Sequence, residues 1–315
     1  MHIGLFLVSA YFLYIAGEWL MRGMVHIAKF LAWKEFVVAF FVMAVAGTLP
    51  NLFVGIFSAL EGIPELSFGD VMGGNVIDLT LAMALAVFFA KTDISLVSRT
   101  VQASAIFTII AALLPLVLIL DGNLSRPDGI LLIAAFFAYA IWLFSKEDRF
   151  KRVYDHIERD YEELGKFMKS LGKVFVGLML LLAAAQGMII SARFFASAFH
   201  IPIAIIGILI IGIGNALPEM YFAVTAAKRG ETWMILGNLM GSVVVPATLV
   251  LGVVALINPI IIENFSPFAL ARAFLIIAAF FFLIFVRTST KITKKEALFL
   301  LSIYIIFVLA ELFIS

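Results

Sequence analysis

The segments 47–51 (GTLPN) and 69–75 (GDVMGGN) recur 168 residues later as 215–219 (NALPE) and 237–243 (GNLMGSV). The Leu-Pro pair and the G-x-x-x-G spacing align without a gap. All four segments lie in strongly apolar sequence, where interrupted helices are tolerated only if they are buried in protein or line a cavity. A duplicated interruption of this kind predicts two related halves that meet at a central binding site.

The composition predicts a membrane protein. Hydrophobic residues make up 64% of the 315 residues and charged residues 14%, and no soluble core needs so much apolar sequence. The chain has no cysteine, which excludes disulfides, thiolate metal sites and cysteine nucleophiles. We predict the lipid bilayer as a partner and no nucleic acid. The sequence leaves the oligomeric state open, with a monomer as the simplest case.

Ten apolar segments each approach the roughly 20 residues that cross a bilayer. They are predicted at 3–21, 35–60, 69–90, 101–120, 128–145, 173–193, 202–227, 234–257, 267–286 and 296–314. Five precede the polar segment 146–172 and five follow it, and an odd number in each half places the second copy upside down. The predicted fold is therefore an all-α polytopic membrane protein with ten transmembrane helices in two inverted-topology five-helix repeats.

The predicted domains follow this division. Residues 1–145 form the first five-helix repeat, with its interrupted helices at about 36–90, and residues 173–315 form the second, with its interrupted helices at about 204–257. Residues 146–172 carry apolar side chains at helical spacing and oppositely charged pairs four residues apart. This pattern predicts an amphipathic cytoplasmic linker, and a regulatory ion or partner site is the alternative.

The distribution of lysine and arginine predicts the orientation. The loops on one side carry 19 of these residues and the loops on the other side carry three. Because cytoplasmic loops are enriched in lysine and arginine, the rich side is predicted to be cytoplasmic. We predict a multi-pass protein of the plasma membrane with both termini extracellular.

Each half carries one carboxylate deep in apolar sequence. Asp78 follows the glycine-rich segment of the first half, and Glu219 follows the Leu-Pro pair of the second. An isolated carboxylate at this depth is costly and is a functional candidate, although a neutral Asp78 hydrogen-bonded between helices is the alternative. If the halves meet at the midplane, Asn51, Asp78, Glu219 and Pro246 converge. Their oxygen ligands suit a hard cation such as Ca²⁺, Na⁺ or Mg²⁺.

The duplicated segments resemble the paired alpha-repeats of the sodium/calcium exchanger family, within the calcium/cation antiporter superfamily. That family carries G-T-S-L-P-E in one helix and G-N-x-x-G-S-N in the next, and its ten-span layout with extracellular termini is similar. The resemblance implies a secondary active antiporter that exchanges Ca²⁺, or another hard cation, for Na⁺ or H⁺ by alternating access at a midplane site. In the family the first span of each half, here spans 1 and 6, slides against the other helices.

The resemblance implies a transporter and not an enzyme, with no cofactor and with the transported Ca²⁺, Na⁺ or H⁺ as the ligand. The chain also lacks an H-E-x-x-H motif, a nucleotide-binding loop and a Ser/His/Asp arrangement. The cation ligands implied by the resemblance are Thr48, Asn51, Asp78, Asn215, Glu219 and Ser242. The secondary candidates are Gly47, Gly74, Asp70, Ala216 and Pro246. We expect Asp70 chiefly to cap the start of span 3 on the outer side, with a role in attracting cations as the alternative.

The two halves differ at the candidate site. Asn51 corresponds to Glu219, and Asp78 corresponds to Pro246, so that each half keeps one carboxylate. Bare charges in a low dielectric need compensation, and exchangers of several Na⁺ for one Ca²⁺ look to about three carboxylates. The sequence therefore suggests the hypothesis that coupling to several Na⁺ is lost or altered. The alternatives are a proton-coupled or other non-Na⁺/Ca²⁺ cation exchanger and a passive cation pathway that has lost exchange.

Overall fold

The computed structural model describes residues 2–30, 47–90, 94–95, 99–145, 161–230, 232–288 and 291–314. These residues form ten helices, α1 to α10, when a π-helical turn is counted as part of the helix that contains it. Their bounds, in chain order, are His2–Phe30, Leu49–Leu60, Pro64–Phe89, Arg99–Leu118, Arg126–Ser145, Tyr161–Phe199, 203–229, 232–257, Ser266–Thr288 and Lys294–Ile314.

Eight of the helices in the described part of the chain are long and apolar enough to cross a membrane. The described parts of α1 and α2 contribute shorter apolar stretches, His2–Ala16 and Leu49–Leu60. The first part of predicted span 2, residues 35–46, lies outside the described residues, as do residues 146–160 of the predicted linker. From Tyr161 onward, the linker is helical and continuous with α6.

Helix α3 begins earlier than predicted. It starts at Pro64. Proline is favoured at the first helical position because the backbone N–H that it lacks would have no partner within the helix. Ile63 occupies the capping position, and Asp70 lies inside the helix and is buried. The expectation that Asp70 caps the helix is therefore wrong, because the helix already begins at Pro64.

Three of the described helices contain a π-helical turn. Asp78–Ala82 forms one in α3, Ile206–Ile211 one in α7 and Pro246–Val250 one in α8. The turns in α3 and α8 lie 168 residues apart, at equivalent positions of the two halves. Such turns are rare and often occur at functional sites. The internal repeat therefore extends from the sequence to the backbone, with Asp78 and Pro246 at the first position of their turns.

Two short antiparallel strand pairs also follow the repeat. β1 (Ile94–Ser95) pairs with β4 (Lys291–Ile292), and β2 (Asn123–Leu124) pairs with β3 (Ile260–Ile261). Because α4 runs from β1 to β2, the two pairs lie at opposite ends of that helix. A shift of 168 residues carries β2 onto β4, and carries β1 to the two residues that directly follow β3. This exchange of ends is what an inverted repeat requires.

In the described part of the chain, the buried apolar side chains form two main clusters. The larger one joins α3, α4, α7, α8, α9 and α10 through side chains such as Met72, Leu239 and Phe282. The second cluster joins α1 and α6 to the edges of α2, α3 and α7, with Leu13 and Met188 among its members. Helices α1 and α6 therefore pack chiefly on each other, beside the rest of the bundle.

Helices α1 and α6 run antiparallel and in close contact. The ring of His2 stacks on Phe194 with 4.1 Å between the ring centroids. Further along, a Cβ atom added at Gly187 would lie 2.1 Å from the Ser9 hydroxyl oxygen. Small residues allow this approach, as is usual for helix pairs in membranes.

Candidate cation site

The candidate site forms where α3 and α7 meet backbone against backbone. A Cβ atom added at Gly73 would lie 2.1 Å from the carbonyl oxygen of Ile208, and one added at Gly207 would lie 2.4 Å from a carbonyl oxygen of α3. Only glycine permits so close an approach. The contact brings Asp70 of α3 next to Asn215 of α7.

A small cavity lies among α2, α3, α7 and α8. The space open to the centre of a water molecule is about 10 Å³, which is close to what one water molecule needs. The cavity is lined by Asn51, Val71, Gly74, Asn75, Asp78, Asn215, Ala216, Glu219, Ser242 and Pro246. Both halves of the chain contribute, so the interrupted helices of the repeat converge on one point.

The structure brings most of the sequence candidates to this cavity. The main candidates that line it are Asn51, Asp78, Asn215, Glu219 and Ser242, and the secondary candidates that line it are Gly74, Ala216 and Pro246. Thr48 is buried at the start of α2, where its carbonyl accepts a hydrogen bond from the Leu52 amide at 3.0 Å, but it does not line the cavity. Gly47 lies beside Glu219, since a Cβ atom added there would be 3.4 Å from Oε1.

Two lining residues, Val71 and Asn75, are not among the sequence candidates. Asn75 is 1% exposed, and its side-chain nitrogen has no hydrogen-bond partner among the described residues. A signal for it exists, because it is the last residue of the segment GDVMGGN and is polar in apolar sequence. Its counterpart in the second half is Val243, which hides this signal in the repeat. Val71 has no distinguishing signal, since it resembles any apolar residue of a buried helix.

Three buried acceptor atoms of the lining residues lack a hydrogen-bond donor among the described residues. They are Asp78 Oδ1, Asn215 Oδ1 and Glu219 Oε2, on side chains that are 4%, 1% and 4% exposed. An unsatisfied buried polar group costs about 1–3 kcal/mol, and more if it is charged. A cation held among these oxygens would satisfy all three, because carboxylate and amide oxygens are the ligands of hard cations.

Carboxylates alone do not form the site. Within the described ranges, no group of three or more His, Asp or Glu side chains is placed to hold a metal ion. A cation in the cavity would instead be held by the carboxylates of Asp78 and Glu219 together with amide, hydroxyl and backbone oxygens. That mixture also favours hard cations.

Asp70 lies next to the site and is completely buried. The side-chain amide of Asn51 donates a hydrogen bond to Asp70 Oδ2 at 3.4 Å. The amide of Asn215 donates to both carboxylate oxygens, at 3.1 Å and 3.0 Å. Among the described residues, three carboxylates therefore lie in or next to the site, and not the two counted from the sequence. The hypothesis that coupling to several Na⁺ is lost or altered stays a prediction, but one of its premises is incomplete.

Interrupted helices from two inverted halves, with carboxylates around a buried cavity, are typical of secondary transporters. The family model of the sodium/calcium exchanger proteins matches residues 1–145 and 169–313. The chain therefore belongs to the sodium/calcium exchanger family. This result confirms the family and the fold class that the sequence predicts, an all-α transmembrane antiporter with two repeats.

Individual relatives span nearly the whole chain. An uncharacterised membrane protein of Methanocaldococcus jannaschii is 26% identical over 305 residues, which cover 96% of each chain. The sodium/calcium exchanger MaX1 of Methanosarcina acetivorans is 22% identical, with 98% of this chain and 97% of that protein covered. A solved structure of the sodium-calcium exchanger NCX_Mj soaked with Na⁺ and Sr²⁺ has a TM-score of 0.70 and 25% identity, and 98% of this chain and 97% of that chain are covered.

Proposed function

We propose that this protein binds a hard cation, with Ca²⁺ as the first candidate, in the cavity between its two halves and exchanges it for Na⁺ or H⁺. The observation that carries the proposal is the set of three buried acceptor oxygens without donors, on Asp78, Asn215 and Glu219. The residues that carry these oxygens come from both halves and line one cavity. Two carboxylates neutralise one divalent cation, which lowers the cost of holding it away from water.

The size of the cavity favours a cation without its water shell. The space is close to that of a single water molecule, whereas Mg²⁺ gives up its waters reluctantly and usually keeps several of them. Ca²⁺ accepts an irregular set of oxygen ligands. The names of MaX1 and NCX_Mj identify those proteins as sodium/calcium exchangers, which supports the same pair of ions here.

The remaining candidates apart from Asp70 each have a proposed role in the site. Asn51, Asn215 and Ser242 supply amide and hydroxyl oxygens beside the two carboxylates. Pro246 lacks a backbone N–H, so the carbonyl of Ser242 is available as a further oxygen ligand. Three small residues, Gly47, Gly74 and Ala216, leave room for the cation. Thr48 supports the start of α2 behind the ligands.

Alternating access is proposed to use α1 and α6 as one moving unit. These helices pack on each other, and the second apolar cluster joins them to α2, α3 and α7. Arg193 of α6 forms an ion pair with Glu61, at the end of α2, with 3.3 Å between the charged atoms, and also donates to the Glu61 carbonyl. The pair connects the moving unit to the helices that hold the cation. It lies near the predicted extracellular side.

The predicted placement of the chain completes the proposal. Repeats 1–145 and 173–315 are proposed to lie in the plasma membrane with the linker 146–172 in the cytoplasm and both termini outside. Inorganic cations are the proposed ligands, and the protein needs no further cofactor in this scheme.

Ion-dependent thermal unfolding of the purified protein tests the binding site. Ca²⁺ is expected to raise the unfolding temperature of the wild type, and Asp78→Asn and Glu219→Gln are each expected to remove this effect. Glu263→Gln serves as the matched control, since Glu263 is an exposed carboxylate in the loop before α9. Equal stabilisation of the wild type and both site variants by Ca²⁺ would contradict the proposed site.

Flux in proteoliposomes tests the exchange and its coupling ion. Labelled Ca²⁺ uptake is expected when an outward gradient of Na⁺ or H⁺ is imposed, and the effective gradient identifies the counter-ion. Counterflow separates an antiporter from a passive pathway, because trapped unlabelled Ca²⁺ accelerates labelled uptake only in an exchanger. Uptake that responds to neither gradient and shows no counterflow would refute antiport.

A further inference from the structure

Asp70 has no role in the proposed ligand set, although it is buried beside it. Its side chain is completely inaccessible, and it does not line the cavity. It accepts hydrogen bonds from Asn51 of α2 and from Asn215 of α7, which both line the cavity. A buried carboxylate in a membrane protein is costly, so its position between two candidate ligands calls for a function.

The geometry determines which way the two amides face. An ionised carboxylate can only accept hydrogen bonds. Asn51 and Asn215 must therefore both direct their NH₂ groups toward Asp70, and each amide oxygen is turned away from it. The oxygen of Asn215 is one of the three buried acceptors without a donor. Asp70 thus determines that this amide offers an oxygen to the cavity and not a hydrogen.

The internal repeat gives Asp70 a second effect. Its counterpart in the other half is Asn238, which is also buried, and the counterpart of Asn51 is Glu219. In the second half the acid lies on the first of the two helices and the amide on the second. In the first half the order is reversed, with the amide on α2 and the acid on α3. The two side chains remain joined by the 3.4 Å hydrogen bond. The negative charge that is absent at position 51 is therefore present on Asp70, which accepts a hydrogen bond from Asn51.

We infer that Asp70 is a positioning residue of the cation site: it orients the oxygens of Asn51 and Asn215 toward the cation and supplies a third negative charge without touching it. The inference rests on the proposed function. With three carboxylates, the site can compensate several Na⁺ as well as one Ca²⁺. Coupling of Ca²⁺ transport to several Na⁺ is therefore expected to be retained, contrary to the expectation from Asn51 and Pro246 alone.

Asp70→Asn tests the inference while keeping the size of the side chain. Asn51 and Asn215 both donate to Oδ2 of Asp70, and Asn215 also donates to Oδ1. In Asp70→Asn one of these two oxygens becomes an NH₂ group, which faces a donor and cannot accept a hydrogen bond from it. Removing a residue that orients a metal ligand typically weakens metal affinity by about 10–100-fold. We expect the apparent KM for Ca²⁺ in proteoliposomes, and the Ca²⁺ concentration for half-maximal thermal stabilisation, to rise by about that factor. Ser67→Ala is the matched control, since Ser67 is buried one turn earlier in α3 and does not line the cavity.

The exchange variant Asn51→Asp/Asp70→Asn separates charge and orientation from packing. It keeps three carboxylates and the hydrogen bond between the two positions, so we expect its Ca²⁺ affinity to recover to within about tenfold of the wild type. An unchanged Ca²⁺ affinity in Asp70→Asn would overturn the inference, even if the ion-free protein became less stable. A folded exchange variant that binds Ca²⁺ no better than Asp70→Asn would also overturn the inference. Failure of both variants to fold would overturn it as well, because Asp70 would then be needed for packing.

The proposed function and this inference fail in different ways. Loss of Ca²⁺ binding in Asp78→Asn and Glu219→Gln together with normal binding in Asp70→Asn rejects only the role of Asp70. If Ca²⁺ neither stabilises the wild-type protein nor is transported by it, the proposed function itself is rejected.

Discussion

The contact between α3 and α7 should be the most sensitive packing point of the site. In Gly73→Ala, the added Cβ atom would lie 2.1 Å from the carbonyl oxygen of Ile208. A normal contact needs about 1 Å more. Neither atom can rotate away, because the carbonyl oxygen is part of the backbone of α7 and the Cβ atom is bonded directly to the backbone of α3. The helices must therefore separate.

The cost of this separation follows from the geometry. Overpacking a buried contact usually costs 1–3 kcal/mol, and a backbone partner places Gly73→Ala at about the upper end, roughly 3 kcal/mol. The site is affected as well, since the hydrogen bonds from Asn215 to Asp70 measure 3.0 and 3.1 Å. A shift of α7 by about 1 Å would lengthen them beyond hydrogen-bonding distance. Both the stability of the ion-free protein and its affinity for Ca²⁺ should fall.

Thermal unfolding in detergent, followed by intrinsic tryptophan fluorescence with and without Ca²⁺, measures both effects. Gly172→Ala is the control, because Gly172 is an exposed position of α6 with no described atom within 4 Å of an added Cβ. Replacing an exposed helical glycine by alanine should raise the free energy of unfolding by about 0.5–1 kcal/mol. If Gly73→Ala unfolds at the wild-type temperature and keeps its response to Ca²⁺, the reasoning about this contact is refuted.

Three further predictions concern other parts of the fold. Glu61→Gln should change the initial rate of Ca²⁺ uptake by at most about fivefold, since a partly exposed ion pair contributes about 0.2–1 kcal/mol, and a change beyond tenfold would contradict this. Gly187→Ala should destabilise the ion-free protein by about 1 kcal/mol, the lower end for overpacking, because the Ser9 hydroxyl at 2.1 Å can rotate away while the Ser9 Cβ atom at 3.2 Å stays in place. Ser9→Gly in the same chain should restore most of this loss in thermal unfolding. Tyr139→Phe should lower stability by about 1 kcal/mol in thermal unfolding, through loss of its 2.5 Å hydrogen bond to Ser104, and Ser104→Ala should add little to that loss if the two groups act together.

The parts of the protein that the sequence predicts depend on local signals. Apolar length indicates the spans, and the repeat of Leu-Pro and G-x-x-x-G indicates the family and the two halves. Asp78 and Glu219 stand out because a carboxylate is costly in apolar sequence, and the structure places both on one cavity. The starts of the helices are less well predicted. Pro64 lies in a loop-like sequence but begins α3.

Only the tertiary structure shows what Asp70 contacts. Its partner Asn215 lies 145 residues away in the chain, and no local pattern connects the two. The meeting depends on how closely α3 and α7 approach at Gly73 and Gly207, which is a property of two backbones together. The sequence by itself determined that this is a membrane protein of two related halves, with one candidate ligand carboxylate in each half. The packing of α3 against α7 decided that a third carboxylate, that of Asp70, accepts hydrogen bonds from Asn51 and Asn215. Hydrogen bonds between helices that are distant in sequence form only when those helices pack together.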